Sequence, residues 1–116
     1  MSQGPIQRIE TVTGSIAPQD LGRTLMHEHL TAGFAGYEAN TSRPGQSFEE
    51  RVAVCIDQIH RLRDLGFTSM LDPCPNDLGR EVELMAKVSQ DTHFNIVFAT
   101  GLYKESSSGS PYWKFR

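Results

Sequence analysis

The chain has 116 residues, with 11 basic and 14 acidic side chains that leave a formal net charge of -3. Its composition, 38% hydrophobic and 22% charged, is typical of a folded domain, and without a basic block it argues against a nucleic-acid partner. No run approaches the roughly 18 apolar residues of a membrane-spanning helix, and no signal-peptide pattern opens the chain, so we expect a cytoplasmic protein without a membrane partner. The two cysteines, Cys55 and Cys74, lie outside any CxxC pattern, which favours reduced thiols over a disulfide framework.

The first predicted elements are a hairpin and a strand. Residues 6–16 alternate β-branched and polar side chains around Gly14, which predicts a short β-hairpin. Residues 21–30 predict a turn followed by a mostly apolar strand that carries His27 and His29 near its end. A long loop is expected over residues 31–46, where glycines and polar residues replace the apolar pattern.

A helix is predicted from Ser47 onward. Ser47 and Glu50 form a capping-box pattern, in which each side chain accepts a hydrogen bond from the backbone N–H of the other residue. Gly66 follows the basic Arg61 and Arg63 and can adopt the left-handed conformation that ends a helix. Apolar residues recur at spacings of three and four and predict one buried stripe: Phe48, Val52, Cys55, Ile56, Ile59 and Leu62.

A second strand, helix and third strand complete the pattern. Residues 67–72 predict a short strand that Pro73 terminates, because proline cannot donate to a sheet ladder. After a loop, a helix is expected from about Gly79 to Gln90, and an almost wholly apolar strand over residues 95–100. The residues that we expect this second helix to turn toward the interior are Val82, Met85, Ala86 and Val88.

Alternation of strands and helices, with long loops after the strands and short loops after the helices, predicts a parallel α/β sheet. In such sheets, ligands bind at the carboxyl ends of the strands, which brings His27, His29, Asp72 and Tyr103 to one face. We therefore expect any chemistry of this protein at that face. His60 and His93 fall elsewhere and are interpreted as structural.

His27 and His29 form the motif that points to chemistry. On a strand they would face the same way, about 7 Å apart, with Glu28 on the other side. Two neutral imidazoles that converge are good ligands for zinc and related metals, although a His-x-His pair by itself is a common pattern. Asp72 could be a metal ligand or a proton carrier, but its position before Pro73 favours a turn-fixing role, and the spacing of Cys74 from the histidines is not diagnostic.

The sequence resembles the amino-terminal third of phosphotriesterase-like metal-dependent hydrolases of the amidohydrolase superfamily. The segments that carry the resemblance are TVTGSI at 11–16, LGRTLMHEHL at 21–30, Asp72-Pro73, DLGR at 77–80 and ATGLY at 99–103. The resemblance implies a partial (β/α)8 TIM barrel, in which the first three βα units follow a short β-hairpin. It also implies that His27 and His29 are ligands of one of two divalent metals, most often zinc, and that Tyr103 lies beside the substrate.

The activity implied by this resemblance is hydrolysis of a small-molecule ester, lactone or phosphotriester by a metal-bound hydroxide. A complete barrel needs about 250 residues, so we expect residues 1–116 to be an amino-terminal fragment of one barrel domain that supplies only part of the site, with an irregular tail at 104–116. Two alternatives stay open: an inactive fragment that acts at most through association, homo-oligomers included, or another amidohydrolase-type enzyme such as a deaminase.

Overall fold

The computed structural model describes residues 6–33 and 45–102. No helix within these two ranges is long and apolar enough to cross a membrane. Within the same ranges, single-turn 3-10 helices lie at Pro18–Asp20 and Asn76–Leu78. The strands and α-helices are β1 (Ile9–Thr11), β2 (Gly14–Ile16), β3 (Thr24–Leu25), α1 (Phe48–Asp64), β4 (Ser69–Asp72), α2 (Val82–Thr92) and β5 (Asn95–Phe98).

The predicted hairpin is confirmed. Strands β1 and β2 pair antiparallel, with Ile9 opposite Ile16 and Thr11 opposite Gly14. Gly14 has a φ of 131°, which a side chain would strain, so the turn needs a glycine here. The turn of the hairpin contacts the last strand, β5, because the N–H of Val12 donates to the carbonyl of Ile96, 2.8 Å away.

The predicted parallel α/β sheet is also confirmed. Its order is β3-β4-β5, with Met70 opposite Leu25 on one side and Ile96 on the other. Sheet and helices share one core, because the buried faces of α1 and α2 pack together and against β4 and β5. The fully or almost fully buried members of this core are Val52, Cys55, Ile59, Met70, Leu84, Met85, Val88, Phe94 and Ile96.

Helix α1 follows its sequence pattern closely. The capping box is complete: Glu50 N–H donates to Ser47 Oγ at 3.1 Å, and Ser47 N–H donates to the Glu50 carboxylate at 2.7 Å. Of the predicted stripe, Val52, Cys55 and Ile59 are buried and Ile56 and Leu62 are partly buried, but Phe48 is exposed because it is the first residue of the helix.

Two predicted elements differ from the structure. Helix α2 begins at Val82 rather than Gly79, because Gly79 adopts a left-handed φ of 84° that ends the preceding 3-10 helix. Val82 lies in the first turn of this helix and is exposed, contrary to the prediction, whereas Leu84 is buried. Strand β3 has two residues instead of the longer run predicted within residues 21–30, so the two histidines lie just beyond it.

Candidate metal site at the carboxyl ends of the strands

His27 and His29 lie in the segment that leaves β3 at its carboxyl end. Their ring centroids are 5.5 Å apart and their planes meet at 74°, so the two imidazoles are neighbours, as the sequence predicts. His27 is exposed, whereas the side chain of His29 is 28% exposed. The motif thus forms one compact pair of nitrogen donors that solvent and small ions can reach.

The backbone around the pair explains why β3 is short. The N–H of Glu28 still donates to the carbonyl of Leu71, as a strand residue would, at 3.2 Å. The next two N–H groups leave the ladder: that of His29 donates to the Glu28 carboxylate and that of Leu30 donates to the Asp72 carboxylate, each at 3.0 Å. Side-chain acceptors therefore replace the strand ladder, which local sequence periodicity does not reveal.

Asp72 is the central acid of this region. It is fully buried at the end of β4, and its two oxygens accept the backbone N–H groups of Leu30 at 3.0 Å and Cys74 at 2.9 Å. The predicted turn-fixing role is confirmed, because one carboxylate fixes both the turn after β4 and the segment after β3. One of its oxygens also lies 3.8 Å from His29 Nδ1.

Cys74 completes a cluster of potential ligands. Its thiol is fully buried and donates to the carbonyl of Leu78 at 3.1 Å. The ligand atoms of His29, Asp72 and Cys74 all lie within 4.8 Å of one another. Sequence spacing did not single out Cys74, and the only signal that could have found it is its place two residues after the acid that ends β4.

The other cysteine lies in the core. Cys55 on α1 is buried, and its thiol lies 3.9 Å from the carbonyl of Leu30. Burial, reinforced by the negative charge of Glu81 and opposed by Arg51, raises the pKa of this thiol above its ordinary value of 9.0. Cys55 is therefore a protonated core residue at neutral pH, in keeping with the interpretation of the sequence.

The remaining predicted site residue, Tyr103, lies outside the described residues, as does the tail at 104–116. His60 is exposed on α1, and His93 forms the left-handed turn before β5, at the end of the strand opposite to the site. A cavity of about 310 Å³ lies between α1 and the sheet and is lined by Glu28, His29 and Gln58 together with apolar residues.

A hairpin followed by a parallel βαβαβ unit, with polar side chains at the carboxyl ends of the strands, has the arrangement of the first part of a (β/α)8 barrel. Residues 7–110 match the model of the phosphotriesterase family. This chain belongs to that family. An organophosphorus hydrolase from Deinococcus radiodurans superposes with a TM-score of 0.88 at 34% identity, covering 98% of this chain and 34% of that one.

Two relatives found by sequence agree with this membership. A phosphotriesterase homology protein from Mycobacterium tuberculosis is 36% identical over 82% of this chain and 29% of its own length. An aryldialkylphosphatase from Saccharolobus solfataricus is 32% identical over 77% of this chain and 28% of its own length.

A second solved structure also superposes on this chain. A variant of a Deinococcus radiodurans PTE-like lactonase gives a TM-score of 0.85 at 34% identity, covering 93% of this chain and 34% of that one. The chain thus spans about a third of the length of the proteins it matches, at their amino-terminal part.

Proposed function

We propose that this chain supplies the first-strand portion of the active site of a metal-dependent hydrolase that cleaves a lactone, ester or phosphotriester. The observation that carries the proposal is the His27–His29 pair, two imidazoles in contact at the end of the first barrel strand of a member of the phosphotriesterase family. The names of the relatives, an aryldialkylphosphatase, an organophosphorus hydrolase and a lactonase, support the substrate class.

The residues present fit a divalent cation. Neutral imidazoles are preferred ligands of zinc and similar ions, and the buried Nδ1 of His29 has no hydrogen-bond partner among the described residues. When bound, such a cation supplies Lewis acidity that lowers the pKa of water and polarises the scissile carbonyl or phosphoryl oxygen. In this proposal the cation is zinc or a similar divalent ion, and the other ligands come from the rest of the barrel.

Residues of this chain position the proposed metal ligand His29. Asp72 fixes the backbone at Leu30, one residue beyond the second ligand, so that the imidazole of His29 is presented from a rigid segment rather than a free loop. By the family resemblance, Tyr103 contacts the substrate. The complete reaction belongs to the complete barrel.

The proposal is tested by a chimera in which residues 1–116 replace the matching third of the Deinococcus radiodurans organophosphorus hydrolase. We expect the chimera to retain divalent metal and to hydrolyse a lactone or an aryl phosphotriester. His27→Ala and His29→Ala should each lower kcat/KM by roughly 100-fold with loss of metal, because they remove ligands. Tyr103→Ala should raise KM and leave the metal content unchanged.

The matched control is His60→Ala, which removes an exposed histidine on α1 and should change neither metal content nor rate. Equal activity in the control and in both ligand variants would overturn the proposal. If the chimera does not fold, Co²⁺ binding to the 116-residue chain decides instead: affinity should fall in the His27→Ala/His29→Ala double variant and not in His60→Ala. Hydrolysis by the chimera that does not depend on His27 or His29 would support the alternative in which this chain acts only through association.

A further inference from the structure

Arg80 lies in the loop between β4 and α2, at the carboxyl ends of the strands. Its guanidinium Nη1 donates to the carbonyl of Ala99, 2.8 Å away, just beyond the end of β5. We infer that Arg80 is a positioning residue, which holds the segment that leads from β5 into Tyr103 and so sets where this tyrosine meets the substrate. The inference rests on the proposed function for the role of Tyr103, but it involves no metal ligand.

Ala99 is the residue at which the segment after β5 is held. Its N–H donates to the carbonyl of Asp72 at 3.1 Å, which is the last hydrogen bond between the ends of β4 and β5. Its own carbonyl accepts the hydrogen bond from Arg80. Residues 100–102 are exposed and form no backbone hydrogen bond to another described residue. The direction in which the chain leaves the sheet toward Tyr103 is therefore set at Ala99.

The backbone on both sides of Arg80 is fixed. Gly79 ends the preceding 3-10 helix with a left-handed φ of 84°. Glu81 accepts a hydrogen bond from the N–H of Met85 in α2 at 3.0 Å, and its carboxylate forms an ion pair with Arg51 of α1. The side chain of Arg80 thus extends from a rigid base, which a group that positions another group requires.

Stability alone does not account for an arginine at this place. Arg80 is partly buried, and its Nε is buried without a hydrogen-bond partner among the described residues. A buried donor without a partner costs about 1–3 kcal/mol, and partial burial of the guanidinium charge adds to this cost. A neutral side chain in the loop would avoid both costs, so the arginine is better explained by a functional role.

The chemistry of arginine suits this role. A charged N–H donor forms a stronger hydrogen bond to a carbonyl than a neutral donor does, and the guanidinium stays charged at neutral pH. Loss of this bond frees the Ala99 carbonyl, and the chain that follows it carries Tyr103 four positions later. Misplacement of a substrate-contacting group by about 1 Å can cost on the order of 100-fold in rate, so a single hydrogen bond at Ala99 is enough to matter.

The test is made in the chimera with the Deinococcus radiodurans organophosphorus hydrolase. Arg80→Met keeps the apolar stem and removes the donors, so we expect KM to rise about 10-fold while kcat and metal content stay within about twofold. Arg80→Lys keeps one charged donor and should restore KM to within about threefold of the wild-type chimera. Lys87→Met, the matched loss of an exposed cation on α2, should change none of these values.

A double variant separates positioning from a general effect on stability. If Arg80 acts through Tyr103, adding Arg80→Met to Tyr103→Ala should raise KM no further, because the group that is positioned has already been removed. Additive effects of the two substitutions on KM would overturn the inference, and so would an unchanged KM in Arg80→Met alone. Either result leaves the proposed function intact, since the wild-type chimera remains an active, histidine-dependent hydrolase.

Amide hydrogen exchange in the 116-residue chain gives a readout that does not depend on hydrolysis. The Ala99 N–H should exchange at least about 10-fold faster in Arg80→Met than in Lys87→Met, and equal rates would overturn the inference. A wild-type chimera without activity, beside faster exchange in Arg80→Met, would overturn the proposed function and not the hold of Arg80 on Ala99. If Arg80→Met does not fold, Arg80→Gln replaces it. Failure of both variants to fold would show a role in folding and overturn the inference.

Discussion

The buried carboxylate of Asp72 accepts a hydrogen bond from the backbone N–H of Leu30, 42 positions earlier in the chain. This contact joins the carboxyl ends of two neighbouring parallel strands, on the segment that presents His29. Because a second backbone N–H, that of Cys74, donates to the same carboxylate, the side chain holds two loops at once.

Removal of this carboxylate should destabilise the fold. Asp72→Ala leaves two N–H groups without their charged acceptor, and we expect the free energy of unfolding to fall by about 2–4 kcal/mol. Asp72→Asn keeps one acceptor oxygen and should lose about half as much. Urea unfolding followed by circular dichroism measures both. Asp57→Ala, which breaks an exposed ion pair with Arg61 on α1, should cost less than about 0.5 kcal/mol, and a loss equal to that of Asp72→Ala would contradict the assignment.

The capping box of α1 should be measurable through Ser47. Ser47→Ala removes the hydroxyl that accepts from Glu50 N–H, and we expect it to lower the free energy of unfolding by about 1 kcal/mol. Ser47→Thr retains a hydroxyl at the same position and serves as the control. It should change the free energy of unfolding by at most a few tenths of about 1 kcal/mol. Urea unfolding measures both variants. Identical urea midpoints for Ser47→Ala and Ser47→Thr would show that the cap does not stabilise the fold.

Gly22 cannot carry a side chain without loss. Its φ is 64°, and an added Cβ would lie 2.2 Å from Thr68 Oγ1, which itself donates to the Leu21 carbonyl at 2.7 Å. Gly22→Ala should therefore lower the free energy of unfolding by about 2 kcal/mol through backbone strain and a displaced hydrogen bond. Gly45→Ala is the matched control, because it meets nothing within 4 Å and should be neutral or slightly stabilising in thermal unfolding.

The thiol of Cys55 should make stability depend on alkaline pH. Burial, with Glu81 and Asp72 adding to it and Arg51 opposing it, raises the pKa of this thiol in the folded state above 9.0. The folded state thus holds the proton more tightly than the unfolded chain, so its contribution is complete below pH 9.0 and is lost as the pH rises through the folded-state pKa. Urea unfolding at several pH values should show a steeper decline for the wild-type chain than for Cys55→Ala.

The comparison of the two pH slopes isolates the Cys55 thiol, since every other titratable group is common to both chains. Below pH 9.0 the absolute stability of Cys55→Ala is expected to be lower than that of the wild-type chain, because the substitution leaves a small cavity in the core. Parallel slopes for the two chains would contradict the predicted role of the Cys55 proton.

Local patterns predicted most of the elements, and non-local contacts decided the rest. The capping box of Ser47 and Glu50 involves residues three apart, so the sequence alone determines where α1 begins. The start of α2 was placed three residues early because the left-handed turn at Gly79 depends on the 3-10 helix before it. The histidine pair followed from spacing and resemblance, and the predicted parallel sheet already placed Asp72 at the same face. The contribution of Cys74 did not follow, because its spacing from the histidines is not diagnostic.

The hydrogen bond between Val12 N–H and the Ile96 carbonyl has a consequence for synthesis of the chain. A ribosome makes the hairpin before the sheet, and Ile96 leaves the exit tunnel only after both helices and the middle strand of the sheet have been translated. A two-stranded hairpin is marginally stable alone, so during most of translation the amino-terminal strands have nothing to dock on. The hairpin is therefore made well before the strand on which it docks, and any pause before residue 96 prolongs the time it spends exposed to chaperones and proteases.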